Sequence, residues 1–132
     1  MFRESKIFES IFKQLHFDVK MKDNLKALEI KDLLSSLTKD NELAKNEALV
    51  IMIISKGADE QIFGYNAFKA AYEEKSISVS EIVDTFSDKN CPALRGKPKL
   101  FFFNCFSLGK THCKEVWNIH CIARNDKSIL YI

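Results

Sequence analysis

The chain's pattern predicts a three-layer α/β domain, with helices on both faces of a mainly parallel sheet. Two observations carry this. The strongest apolar runs, "ALVIMII" from Ala48 and "LFFFNCF" from Leu100, are apolar on consecutive positions, as strands covered on both faces are. Segments with helical spacing precede and separate them, so strands alternate with helices.

Taken in order, Ile7, Phe8, Ile11, Phe12 and Leu15 recur at three and four and predict one helix ending near His16. "FDVKM" alternates apolar and polar residues, as a short half-exposed strand does. Leu25, Leu28, Ile30, Leu33, Leu34 and Leu37 form the stripe of a second helix, and the polar stretch "TKDNELAKNE" reads as surface. After the "ALVIMII" strand, "DEQIFGYN" is punctuated by Gly64 and Asn66 and predicts a small hairpin or turn on the sheet rim. Ser78 and Glu81 stand three apart in capping-box order ahead of Ile82, Val83 and Phe86, which opens a third helix. "SILYI" at Ser128 is a last strand. No repeat, low-complexity tract or linker divides the 132 residues, so one domain over 1–132 is expected.

Composition narrows the function. The chain is 46% hydrophobic and 29% charged, within the globular range. Its 20 basic and 18 acidic residues are scattered along the length, without the one-sided basic face that nucleic acid needs. No run approaches the roughly 18 apolar residues of a membrane span, and "MFRESKIFES" lacks the order of a signal peptide, so a soluble cytoplasmic protein is expected. Cys91, Cys105, Cys113 and Cys121 match neither CxxC pairs nor a small secreted disulfide framework. Free thiols are the default. His112, Cys113, His120 and Cys121 make two His-Cys pairs eight apart, a looser arrangement than zinc sites use, so neither metal nor any other cofactor is expected.

Read together, "LHFDV", "VIMIISKGADEQIFGYN" and "SVSEIVDTFSDKNCPALRGKPKLFFFN" resemble the large-subunit half of a caspase, with "CPALRGKPKLFFF" the most specific piece. The resemblance covers about residues 4–106. It leaves 107–127 as inter-subunit linker and 128–132 as the start of a small-subunit strand. In that family one strand ends in Ser-His-Gly, and a Gly-Lys-Pro-Lys turn leads to a strand carrying the nucleophile in Gln-Ala-Cys-Arg-Gly. Here Lys56 stands in the histidine slot between Ser55 and Gly57. Counting without a gap from Lys97-Pro98-Lys99, the nucleophile slot is Phe106, and 106 − 56 = 50, the family's interval.

Such peptide cleavage needs a thiolate to attack the carbonyl and an imidazole to protonate the departing amine. Phenylalanine has no attacking atom, and an ordinary lysine stays charged at neutral pH. Gly57 keeps the place whose backbone N–H, by the resemblance, helps hold the oxyanion. Asn104 replaces the glutamine of the aspartate pocket, and Leu108 replaces the glycine after the nucleophile motif. A one-residue slip would instead put Cys105 in the nucleophile slot with Lys56 as base, though such a slip turns every side chain to the other face of the strand. The resemblance also implies that the chain starts on the family's first helix and stops near the small subunit's first strand. The first strand, both pocket arginines and most of the small subunit are then absent.

His16 takes the place of the glycine that usually ends the first helix. His112 and His120 fall in the linker-like segment, as surface residues. The implied function is that of a caspase homologue without catalysis, similar to the FLICE-inhibitory decoys, acting on active caspases or their adaptors. Pairing as a homodimer or heterodimer through the terminal strand at an open sheet edge is the expected route. A divergent peptidase using Cys105 and a truncated product without a role are the alternatives.

Overall fold

The computed structural model describes residues 2–65, 67, 75–107, 115–122 and 128–131, with side chains described for 4–65, 67 and 75–104. The order is α1 (Phe2–Gln14), β1 (Asp18–Lys20), α2 (Ala27–Thr38), a 3₁₀ turn (Asn41–Lys45), β2 (Ala48–Ala58) and β3 (Gln61–Phe63). There follow β4 (Ser76–Ser78), α3 (Val79–Thr85), a 3₁₀ turn (Pro92–Leu94), β5 (Lys99–Ser107), β6 (Glu115–Ile122) and β7 (Ser128–Tyr131). The strands form one mixed sheet. Its central order β1-β7-β2-β5 is parallel, β6 lies antiparallel on β5, and the β3-β4 ribbon hangs antiparallel from the end of β2.

Three layers follow from the pleat of β2, because successive residues point to opposite faces. Leu49 and Ile51 pack with Leu34 and Leu37 of α2, Ile82 of α3, and Phe101 and Phe103 of β5. Val50 and Met52 face the other way, against Phe8 and Phe12 of α1 with Phe17, Leu100 and Phe102. Each such buried aliphatic or aromatic side chain contributes about 1.5–3 kcal/mol. The consecutive apolar pattern of both strands is thereby explained, and they are adjacent as expected.

Local chemistry sets the helix ends. Ser78 Oγ accepts the Glu81 N–H at 3.1 Å while the Glu81 carboxylate accepts the Ser78 N–H at 3.1 Å, which is the capping box read from the sequence. The Ser78 N–H foremost, and then the Ser78 hydroxyl, which also donates to the carboxylate at 3.1 Å, hold the Glu81 carboxyl below its ordinary range. Glu29 likewise accepts the Lys26 N–H at 2.7 Å at the start of α2. His16 has φ 65°, the left-handed conformation that normally selects glycine after a helix.

Four expectations need correction. The α1 stripe splits: Phe8 and Phe12 pack inward, whereas Ile7, Ile11 and Leu15 are about half exposed, because the helix is centred on its phenylalanines. Leu28 of α2 is exposed too, while Ala27, Leu34 and Leu37 are buried. The polar stretch after α2 is not all surface, since Leu43 in its 3₁₀ turn is fully buried in the main core. Finally, the segment read as linker contains β6, and β7 is no open edge: it pairs with β1 on one side and β2 on the other. His120 lies on β6, in register with Phe101. His112, Cys113, Asn66 and Leu108 fall outside the described residues.

The rim hairpin turns through Asp59 (φ 51°) and Glu60 (φ 59°), two residues between paired Ala58 and Gln61. Positive φ at both is the type I′ geometry that favours Asn-Gly. The ribbon is fixed at its far end, where the Tyr65 N–H donates to the Leu25 carbonyl at 2.8 Å. Gly64 lies so close to α2 that a Cβ there would stand 2.2 Å from the Ala27 nitrogen.

The "RGKPK" turn is a brace. Gly96 takes φ 71°, and Lys97 Nζ donates to the carbonyls of Ala44 and Asn46, each at 2.8 Å, tying the start of β5 to the turn before β2. Lys99, almost wholly buried, donates to the exposed Asp88 carboxylate at 2.8 Å. That hydrogen bond holds the Asp88 carboxyl below its ordinary range.

Two stability predictions follow from these contacts. Replacing Glu60 by Gly should raise stability by about 1 kcal/mol, since a non-glycine residue held in the left-handed region carries a cost of that order. Urea titration of the variant checks it, and an unchanged midpoint would remove the strain argument. Asp88→Asn should destabilise more than Lys99→Met, because it strands a buried ammonium whereas Lys99→Met removes it. A depressed aspartate stabilises above its unfolded pKa and loses that contribution as pH falls through the folded value. Asp88→Asn should therefore also flatten the acid side of a stability-versus-pH curve, read by denaturant midpoints from neutral pH downward.

Candidate active site

The carboxyl ends of β2 and β5 lie side by side, the place where open α/β sheets carry their sites. The two strands pair in parallel over nine unbroken rows, from Leu49↔Lys99 to Gly57↔Ser107. Lys56 falls in the row of Phe106, Gly57 in that of Ser107, and Ser55 in that of Cys105. The interval of 50 counted along the chain is thus also one row of the sheet.

Each position has a local cause. Buried residues fill β2 from Ala48 to Met52, and from Ile53 the strand emerges toward solvent, so Lys56 is exposed. Gly57 is buried and pairs on its other side with Ile62 of the rim ribbon. Ser55 Oγ donates to the Phe63 carbonyl at 2.6 Å, which pins the ribbon beside the strand end. Asn104 is 2% exposed, and its Oδ1 has no hydrogen-bond partner among the described residues. A buried amide oxygen without a donor is costly.

The pairing bears on the two registers left open by the sequence. Along β2, Val50 and Met52 belong to one face and Leu49 and Ile51 to the other. Lys56 continues the first series and Ser55 the second. Position 106 shares the row of Lys56, and position 105 that of Ser55. No bulge in the nine rows brings Cys105 level with Lys56.

Chemically, this strand end offers an ammonium at position 56, a backbone N–H at Gly57 and a phenylalanine at 106. Among the described residues no group of three or more His, Cys, Asp or Glu could hold a metal ion. No helix among them is long and apolar enough to cross a membrane. Cys91 is fully buried in the main core, and burial pushes its thiol up, so it stays protonated and serves as packing. Sequence reasoning missed the structural work of Lys97, Lys99 and Asp88. The spacing of the lysines around Pro98 was visible, but their partners lie far off in sequence or in a loop.

The family model for the caspase domain matches residues 4–128 of the chain. Human (Homo sapiens) caspase-9 is 33% identical over 106 residues, which is 80% of this chain and 25% of that protein. Zebrafish (Danio rerio) caspase a is 26% identical over 108 residues, covering 82% of this chain and 28% of the relative. Mouse (Mus musculus) caspase-8 is 30% identical over 91 residues, 69% of this chain and 17% of the relative. The chain therefore spans less than a third of the length of these proteins.

Proposed function

Because the chain belongs to the caspase family, we propose that it is a catalytically inactive homologue that regulates active caspases, or their adaptors, in the cytoplasm by protein-protein contact. One observation carries the reading. The sheet row that holds Lys56 holds Phe106, and neither residue type can do what a cysteine peptidase asks of its dyad. Phenylalanine cannot form an acyl-enzyme bond. An ammonium has no lone pair with which to take a proton from a thiol. Gly57 keeps a backbone donor at the strand end, but stabilising an oxyanion is useful only once a nucleophile has created one.

Asn104 supports the same reading from the binding side. Its buried amide stands in the position where the resemblance puts the aspartate-pocket glutamine, and it is a methylene shorter. Recognition of an aspartate side chain would be weakened even if the dyad were rebuilt. Lys56 sits on the exposed end of β2 beyond the buried apolar rows, so a lysine there leaves the packing of the sheet intact.

The test uses the whole chain. Purified protein should give no turnover of aspartate-containing peptides, and adding it to an active caspase should change that enzyme's rate. Lys56→Ala should leave the effect on the enzyme intact, because the contact does not run through the dead dyad. Lys56→His with Phe106→Cys should restore little cleavage. Intrinsic turnover that disappears on Cys105→Ala would sink the inactive reading and make Cys105 the nucleophile. Failure to alter the rate of any active caspase would remove the regulatory part.

A further inference from the structure

The face of the sheet turned away from Lys56 carries an open groove of about 670 Å³, bounded by α3 on one side and β5 on the other. Its floor is Val79, Phe86, Phe101 and Lys99, all buried. Phe101 belongs to the core cluster shared with α2 and α3, and Lys99 stands two residues before it, so the pleat gives both to that face. Lys56 lies on the other. Both ends of the groove are fixed by hydrogen bonds: the Val79 N–H donates to the Glu60 carbonyl at 2.9 Å, and the Lys99 ammonium donates to the Asp88 carboxylate at 2.8 Å.

The chemistry of the walls restricts what fits. Lys99 is the one polar residue of the floor and its charge is met by Asp88, so the floor presents chiefly apolar surface, with Phe86 and Phe101 in contact at 6.1 Å between ring centroids. The mouth is different. Glu60, Glu81 and Asp84 line it as exposed carboxylates. Lys31 lies 3.5 Å from Glu81 and Asp84 accepts the neutral amide of Asn90 at 3.1 Å, whereas no cation pairs with Glu60 or Asp84 among the described residues. The whole chain carries a formal charge of +2, so attraction for a basic partner has to come from this mouth and not from the protein's overall charge. An apolar trough with carboxylates on its lip is complementary to one kind of segment, an apolar anchor flanked by basic side chains.

We propose that this groove docks a partner-protein segment of that kind, with large apolar side chains seated between α3 and β5 against Val79, Val83 and Phe101, and flanking lysine or arginine side chains held at Glu60, Glu81 and Asp84. The anchor supplies most of the binding energy, and the exposed charges set specificity and encounter rate. Because the groove and Lys56 are on opposite faces of the sheet, docking is independent of whether the strand ends cleave anything and of which enzyme the domain regulates.

The experiment uses the full chain and a fluorescein-labelled peptide, Gly-Arg-Lys-Leu-Phe-Lys-Arg-Gly, with binding read by fluorescence anisotropy. One control peptide replaces Leu-Phe by Ser-Ser, and another replaces the basic residues by glutamates. The first peptide should bind, and each control should bind at least about tenfold more weakly, roughly 1.4 kcal/mol. Glu60→Gln with Asp84→Asn should weaken the first peptide by a similar factor, since both side chains are exposed and the change removes charge without touching the floor. In methyl NMR spectra of the natural chain, Val79 and Val83 should shift on titration while Val50, on the other face, stays in place. Absence of binding, equal binding of either control, or shifts at Val50 in place of Val79 and Val83 would overturn the proposal, as would a folded double variant that binds undiminished. Should the double variant fail to fold, the methyl shifts and the control peptides on the natural chain decide.

Discussion

Everything in this molecule is hung on the pairing of β2 with β5. The nine parallel rows bring together two strands of unlike origin, one following a helix and a polar turn, the other following the braced "RGKPK" corner. From them the two cores are built outward, Leu49 and Ile51 with Phe101 and Phe103 toward α2 and α3, Val50 and Met52 with Leu100 and Phe102 toward α1. Register here is not free to drift, because a slip of one residue would put both apolar sets on the wrong faces. The same rigidity carries to the strand ends, where it fixes which residues share a row.

That constraint explains the precision of the corner before β5. Lys97 reaches across to the carbonyls of Ala44 and Asn46, so the residues that enter β5 are tied to those that enter β2. Lys99 begins β5 with its ammonium buried, tolerable because Asp88 meets it at the surface and stays ionised. Neither contact touches the strand ends that carry the candidate site. They set where the first row begins, and the register of the ninth follows.

Much of this was legible in the sequence, and what was not has physical reasons. Consecutive apolar residues gave the two central strands, helical spacing gave three helices, Ser78 with Glu81 gave the start of α3, and His16 was placed where a left-handed residue occurs. Those are local patterns. Periodicity marked the apolar side of α1 but not its centre, so Ile7, Ile11 and Leu15 could not be told from Phe8 and Phe12. Leu43 was hidden among charged neighbours, since one apolar residue in a polar turn has no period to read. The places of β6 and β7 depend on strand order, which no local pattern encodes. For the candidate site, chain spacing put Lys56 and Phe106 in two slots of one motif, whereas the sheet row that they share and the unpartnered amide oxygen of Asn104 needed coordinates.

The fold and the row of Lys56 and Phe106 are separable for a reason visible in β2 itself. Its burial is complete from Ala48 to Met52, partial from Ile53 to Ser55, and gone at Lys56. The buried apolar rows thus lie before the row of Lys56 and Phe106, and beyond it the side-chain-free Gly57 is buried between β5 and β3. A lysine at position 56 displaces nothing from the core and leaves its charge in water, so it costs the fold little. Had the lysine stood two residues earlier, in place of Ile54, its ammonium would have met more of the desolvation that buried charges face without a partner. Side chains at an exposed strand end can change without disturbing the buried rows, so the architecture of the domain does not depend on which residue stands at position 56.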